Sequence, residues 1–151
     1  ILALALAGGP LGTPAELLAR TAIGSAVFAN KPGDGSAREQ AASCQRVLGG
    51  MANIAREYAT KRYRSNCINW GILPFTIDAS EPFGYEPGDY VFVPDVRRAV
   101  AEGWTDIPAT AVSGGKAHAL LLHMAALTPD EKEILLEGCL INYYAAQARR
   151  S

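Results

Sequence analysis

Apolar runs of strand length alternate with stretches of helical period through the first half of the chain. Residues 23–29, Ile23-Gly-Ser-Ala-Val-Phe-Ala29, predict a buried strand. A Gly-rich turn follows it. Residues 37–48 then place Ala41, Ala42, Cys44, Val47 and Leu48 on one side of a helix that stops at Gly49-Gly50. A short strand, Met51–Ile54, comes next, and two strands joined by a helix predict a βαβ unit with parallel strands. Residues 58–70 predict a second helix, ended by Gly71. The run Ile72–Ile77 reads as a further strand, in which Pro74 argues for a sheet edge or a strand start.

The texture changes after residues 80–88, a loop rich in Pro, Gly and acidic residues. Residues 90–93 predict a strand and 96–102 a short helix. Residues 107–112 and 117–123 pair as a hairpin about Ser113-Gly-Gly115. Thr128-Pro-Asp-Glu131 is a helix start with Thr as cap, Pro first and Glu third. One helix is expected from there to about Gln147, with Ile134, Leu135, Cys139, Leu140 and Ile141 toward the core. Near the beginning, Thr13-Pro14 opens a short helix ending at Arg20. Residues 1–12 alternate Leu with Ala and break at Gly8-Gly-Pro-Leu-Gly12; an edge strand, a helix or a boundary segment all fit them. There is no internal repeat and no low-complexity tract.

These elements predict a single α/β domain over 1–151, with 1–22 as lead-in, 23–78 as the chemically informative core and 79–151 as C-terminal strands and helix. A net charge of −1 gives no bulk argument for nucleic acid or for a membrane surface. Cys44, Cys67 and Cys139 are three in number and scattered, which reads as reduced thiols in a cytoplasmic protein. They do not make a metal site on spacing alone. The chain opens at Ile1 without an initiator Met, so a piece of a longer polypeptide is expected. The apolar run Ile1–Ala7 is far short of the roughly 20 residues of a membrane span and lacks the basic leader of a signal peptide.

The turn Asn30-Lys-Pro-Gly-Asp-Gly-Ser36 is the least generic stretch. Strand, Gly-rich turn and helix in that order aim backbone N–H groups at an anion. Gly33 and Gly35 admit backbone angles closed to other residues. Ser36 falls at the expected helix N-cap, and Glu39 completes a capping box. Arg38 lies in the first turn, where its charge opposes the helix dipole, so it reads as a residue facing an anion. An ordinary capped helix after a tight turn accounts for the same residues. A phosphate-binding P-loop does not, because its Gly-Lys-Ser/Thr ending is missing, and the dinucleotide fingerprint lacks its third glycine.

Other candidates are plainer. Lys61, Arg62 and Arg64 could meet RNA or a substrate, but the near-neutral chain favours a solvated or domain-facing surface. Cys67 reads as a buried thiol rather than a cluster ligand. His118 and His123, five apart on a strand, point to opposite faces and cannot share a metal. Tyr143 and Tyr144 read as packing or interface residues.

Taken together, Gly33-Asp-Gly-Ser-Ala-Arg-Glu-Gln40, Leu48-Gly-Gly50, Tyr63-Arg-Ser-Asn66 and Gly71-Ile-Leu-Pro74 resemble the mobile swivel domain of the aconitase superfamily, also found as the small subunit of isopropylmalate isomerase. The resemblance spans roughly residues 23–78. The later half, with Gly138-Cys-Leu-Ile-Asn-Tyr-Tyr144, is similar to a bacterial aconitase-like hydratase branch. What the resemblance implies is a hydro-lyase that removes and re-adds water on a hydroxy di- or tricarboxylate. Ser36 would be the catalytic base. Arg38 would clamp a substrate carboxylate, with Gly35 and Ala37 beside it. Ala37 replaces the family's second serine and Gln40 its histidine, which points to an altered substrate preference. The family's further substrate arginine has no match before Ala22, and Arg20 is a poor substitute. The family's [4Fe–4S] cluster is expected in other domains or in a large subunit, since this chain has no ligand set for it.

The expected architecture is a small mixed sheet or partly closed barrel flanked by helices. Its expected role is the C-terminal domain of an aconitase-like hydro-lyase, incomplete without its cluster-bearing partner. A swivel domain turned to binding RNA or a small carboxylate without turnover is the alternative.

Overall fold

The computed structural model describes residues 2–150. Two short helices lead in: α1 (Leu2–Leu6) and α2 (Pro14–Arg20), the latter closed by a capping box between Thr13 and Glu16. The remaining elements run β1 (Ser25–Ala29), α3 (Arg38–Val47), β2 (Gly50–Ala55), α4 (Lys61–Asn69), β3 (Leu73–Thr76), β4 (Tyr90–Phe92), α5 (Val96–Glu102), β5 (Asp106–Ser113), β6 (Lys116–His123), α6 (Pro129–Glu137) and α7 (Leu140–Arg150). The strands form one open mixed sheet in the order β1-β2-β3-β6-β5-β4. The sheet is not closed into a barrel.

The predicted βαβ unit is present, with β1 parallel to β2, and a second follows it, with β2 parallel to β3. The hairpin β5–β6 is paired in register from Asp106↔His123 to Ser113↔Lys116, and β4 adds to its outer side. The two halves of the sheet meet at one residue pair, Thr76↔His123.

Three expectations about strands and helices change or narrow. β1 is an edge strand whose first three residues are exposed, so the predicted buried strand is buried only toward its end. β3 lies mid-sheet although it contains Pro74. Because β6 touches β3 only at Thr76, no ladder on that side asks Pro74 for a donor. The last helix is two helices: Gly138 takes φ +94 and ends α6, and α7 starts at Leu140. Ile134 is buried as expected, whereas Ile141 is 70% exposed.

The buried apolar side chains form two clusters. Ile54 joins Phe75, Ile77, Ala99, Val100, Ile107, Leu122 and Met124 in the larger one, which Leu135 and Leu136 of α6 cover. Ala42, Tyr63, Cys67 and Ile72 make the smaller one, between α3 and α4. The apolar side predicted for α3 is therefore only partly used, with Ala42 buried and Val47 and Leu48 exposed. The end of α4 is a Schellman cap: Gly71 N–H donates to Ile68 O and Ile72 N–H to Cys67 O, each at 2.8 Å. Among the described residues no helix is long and apolar enough to cross a membrane.

Candidate active site

The three parallel strands end on one side of the sheet, and the loops that leave them there are tied to one another. From the loop after β1, Asn30 O and Pro32 O accept from the backbone N–H groups of Glu57 and Ala59, which follow β2. Lys31 pairs with Glu57 at 2.7 Å. Arg56 crosses to the loop after β3, donating to Asp78 O and Ala79 O at 2.9 and 2.8 Å. In open α/β sheets this carboxyl-terminal side is where ligands bind.

Gly33 has φ +93, the left-handed region open to glycine, and its α-carbon lies against Tyr63. Its carbonyl accepts two side-chain bonds, from Arg38 Nε at 3.0 Å and from Thr60 Oγ1 at 3.3 Å. Thr60 is the N-cap of α4, and its hydroxyl also accepts from the Tyr63 N–H at 3.2 Å. Gly35 does not take a positive φ, so only Gly33 needs the conformational freedom expected of both.

The predicted capping box at Ser36 is not formed. The N-cap of α3 is Ala37, one residue later, with no side-chain cap bond. Glu39 instead accepts from Trp70 Nε1 at 2.9 Å, an anchor between α3 and the end of α4. Ser36 is exposed, and among the described residues its hydroxyl has no partner. Both the serine oxygen and the first-turn N–H groups of α3 are thus left unsatisfied by any cap.

Arg38 turns back over the loop rather than out along the helix. Its Nε is bound to Gly33 O, and among the described residues its two terminal nitrogens carry no bond. Gly33, Gly35, Ala37, Arg38, Ala41 and Tyr63 line one shallow, open cleft. Gly35, Ala37 and Arg38 are brought together there. Ser36 is not among the lining residues, although its chain neighbours Gly35 and Ala37 both are.

Behind the cleft is a buried polar cluster that residue-by-residue reading of the motif missed. Asn53 is 2% exposed on β2; its Nδ2 donates to Tyr63 Oη and to Cys67 Sγ, each at 3.3 Å. Gln45 Nε2 donates to Asn53 Oδ1 at 2.5 Å. Burial raises the pKa values of Tyr63 and Cys67, the thiol being pushed up to about 11. The usable signal was Asn53 itself, a polar residue inside the apolar run Met51-Ala-Asn-Ile-Ala55.

The residues do not fit an iron–sulfur cluster. Cys44 is exposed, Cys67 is buried as a neutral hydrogen-bonded thiol, and Cys139 is partly buried. Among the described residues no three His, Cys, Asp or Glu side chains group as metal ligands. His123 bonds Asp106 at 2.8 Å. Of the basic helix, Arg64 faces α6, where Glu131 accepts from it at 3.2 Å. Tyr143 Oη donates to Asp130, and Tyr144 is exposed.

Residues 21–80 match the aconitase C-terminal domain family. Among solved structures the chain is similar to 3-isopropylmalate dehydratase from Methanocaldococcus jannaschii, at 23% identity and a TM-score of 0.54 over 99% of this chain and 91% of that one. No curated protein matches. The matched segment contains the loop, both parallel crossovers and the cleft, and the shared fold extends through the hairpin and last helices. The family match covers the loop-bearing part of the chain, and the likeness to the solved structure shows a shared fold along nearly its whole length.

Proposed function

We propose that this chain is the swivel portion of an aconitase-like hydro-lyase that dehydrates and rehydrates a hydroxy di- or tricarboxylate. The carrying observation is that Ser36, exposed and unpartnered among the described residues, and Arg38, whose two terminal nitrogens carry no bond among them, share one loop at an uncapped helix N-terminus. Both lie within the family-matched segment.

On this reading the free fork of Arg38 holds one substrate carboxylate through paired N–H donors. Ser36 Oγ, as the alkoxide, takes the proton from the carbon beside that carboxylate. The C–H electron pair becomes the double bond, and the hydroxyl on the next carbon departs with its own pair. Hydration runs the same steps in reverse. A serine alkoxide is costly, and the first-turn amides of α3 and the Arg38 cation are the groups here that offset its charge. The hydroxyl leaves from the substrate, and the [4Fe–4S] cluster expected of such enzymes would be held by partner domains or a large subunit. Closure of this domain onto them would exclude water from the reacting carbon.

The test is the complete protein, reconstituted anaerobically and assayed against citrate, isocitrate, isopropylmalate and homocitrate. Turnover of one of them, with Ser36→Ala lowering kcat by orders of magnitude and KM little changed, is the expected result. Binding of a carboxylate without turnover of any would favour a binding module, a reading to which the loss of polar side chains at Ala37 lends support. Normal turnover by Ser36→Ala would remove the serine base.

A further inference from the structure

We infer that Thr60 is a positioning residue for the Arg38 clamp, acting through the carbonyl oxygen of Gly33. The inference rests on the reading of Arg38 as a carboxylate-binding residue.

Among the described residues the Arg38 side chain has one bond, Nε to Gly33 O at 3.0 Å. Its orientation over the cleft therefore depends on where that single oxygen sits. Gly33 O is held from the other side by the Thr60 hydroxyl at 3.3 Å. The same hydroxyl accepts from Tyr63 N–H at 3.2 Å, so donor and acceptor capacities are both used. The chain of bonds runs from α4, through Thr60, to the loop carbonyl and out to the guanidinium. Tyr63 adds a steric stop, since its side chain lies directly under the Gly33 α-carbon.

Two nearby carboxylates are engaged elsewhere. Glu39, the carboxylate next to Arg38 in sequence, is bound to Trp70 Nε1. Glu57 is paired with Lys31. With its Nε spent on the loop and these acids engaged elsewhere, Arg38 presents its terminal pair of donors in a fixed plane. Without the Thr60 bond Gly33 O would have one tether fewer, and a fork that must meet a carboxylate in plane tolerates little rotation.

The experiment is a double-mutant cycle in the complete protein, measured on whichever of the four acids above it turns over best. Thr60→Val should raise KM about three- to ten-fold, the worth of one hydrogen bond, with kcat changed far less; Thr60→Ser should restore KM. In an Arg38→Lys background, which has no Nε–H to position, Thr60→Val should raise KM no further. Its loss of the α4 cap should lower the melting temperature equally in both backgrounds. If Thr60→Val does not fold, Thr60→Asp keeps the cap but cannot donate, and should show the same KM effect. An unchanged KM in either variant, or an equal rise in the Arg38→Lys background, would overturn the positioning role. A normal KM for Arg38→Lys itself would instead overturn the clamp reading beneath it.

Discussion

Tyr63 occupies the space that a side chain at Gly33 would need. A Cβ built on Gly33 meets Tyr63 Cδ1 at 2.6 Å, and the backbone there has φ +93. The glycine of the loop and the tyrosine of α4 are therefore one fitted pair, and the height of the loop above the helix is set by their contact.

Gly33→Ala should accordingly cost about 1–3 kcal/mol from backbone strain alone, with the Tyr63 clash in addition. Urea denaturation would measure it. The variant should also lose carboxylate binding before it loses the fold, because the loop can lift while β1 and β2 stay paired. A variant with wild-type stability and binding would show that the pair is not fitted.

Asn53→Leu should be more damaging than Tyr63→Phe. The first takes the Asn53 donor from Tyr63 Oη and Cys67 Sγ, which keep only each other, and strands Gln45 Nε2 with only Ala52 O at 3.3 Å. A stranded buried polar group costs about 1–3 kcal/mol, whereas one ordinary hydrogen bond is worth about 0.5–1.5 kcal/mol. Paired denaturation curves would rank them, and the opposite ranking would mean that the cluster is not a connected network.

Cys67 should stay silent toward thiol reagents at pH 8 while Cys44 reacts, because burial holds the Cys67 thiol protonated up to about 11. The same shift has a stability sign. In the unfolded chain the thiol ionises near its ordinary 9, and in the folded chain only near 11, so the folded state holds the proton more tightly. Stability from this group is complete below pH 9 and is lost as pH rises from 9 to 11. Denaturation midpoints across that window, compared with Cys67→Ala, would show the slope only when the thiol is present.

Gly71→Ala should abolish folding. Gly71 has φ +69, and a Cβ there would run into the Gly138 carbonyl, with its carbon at 2.7 Å. The obstacle is backbone, not a flexible side-chain end, so the cap of α4 and the α6–α7 junction would have to separate. Recovery of a soluble variant with a native-like melting curve would show that the junction can give way.

The parallel half of the fold was legible because strand-length apolar runs and helical periods alternate cleanly, with glycines marking each helix end. The hairpin and both Thr-Pro helix starts were legible for similarly local reasons. Pro74 stands at the second position of β3, the strand start that was one of the two expectations, in a strand that lies mid-sheet but lacks a neighbour on one side there. Ser36 and Ala37 were adjacent candidates for the same cap. Choosing between them needed Tyr63 beneath Gly33 and Trp70 drawing Glu39 away, both more than twenty residues distant in the chain. The division of α6 from α7 turned on Gly138 meeting Gly71, again a tertiary matter. At the candidate site the sequence named Ser36 and Arg38, but not Thr60, whose importance comes from the carbonyl it shares.

The single pair Thr76↔His123 has a mechanical meaning. Across that seam the sheet is joined less by its ladder than by apolar contact, Ile54 and Phe75 on one side against Ile107 and Leu122 on the other. Ladders resist shear because each bond has a direction; greasy contact does not. The seam is thus the most thinly laddered line of the sheet, and what holds the loop-bearing half to the hairpin half is packing together with Arg64, which reaches from α4 to Glu131 and to Ala125 O.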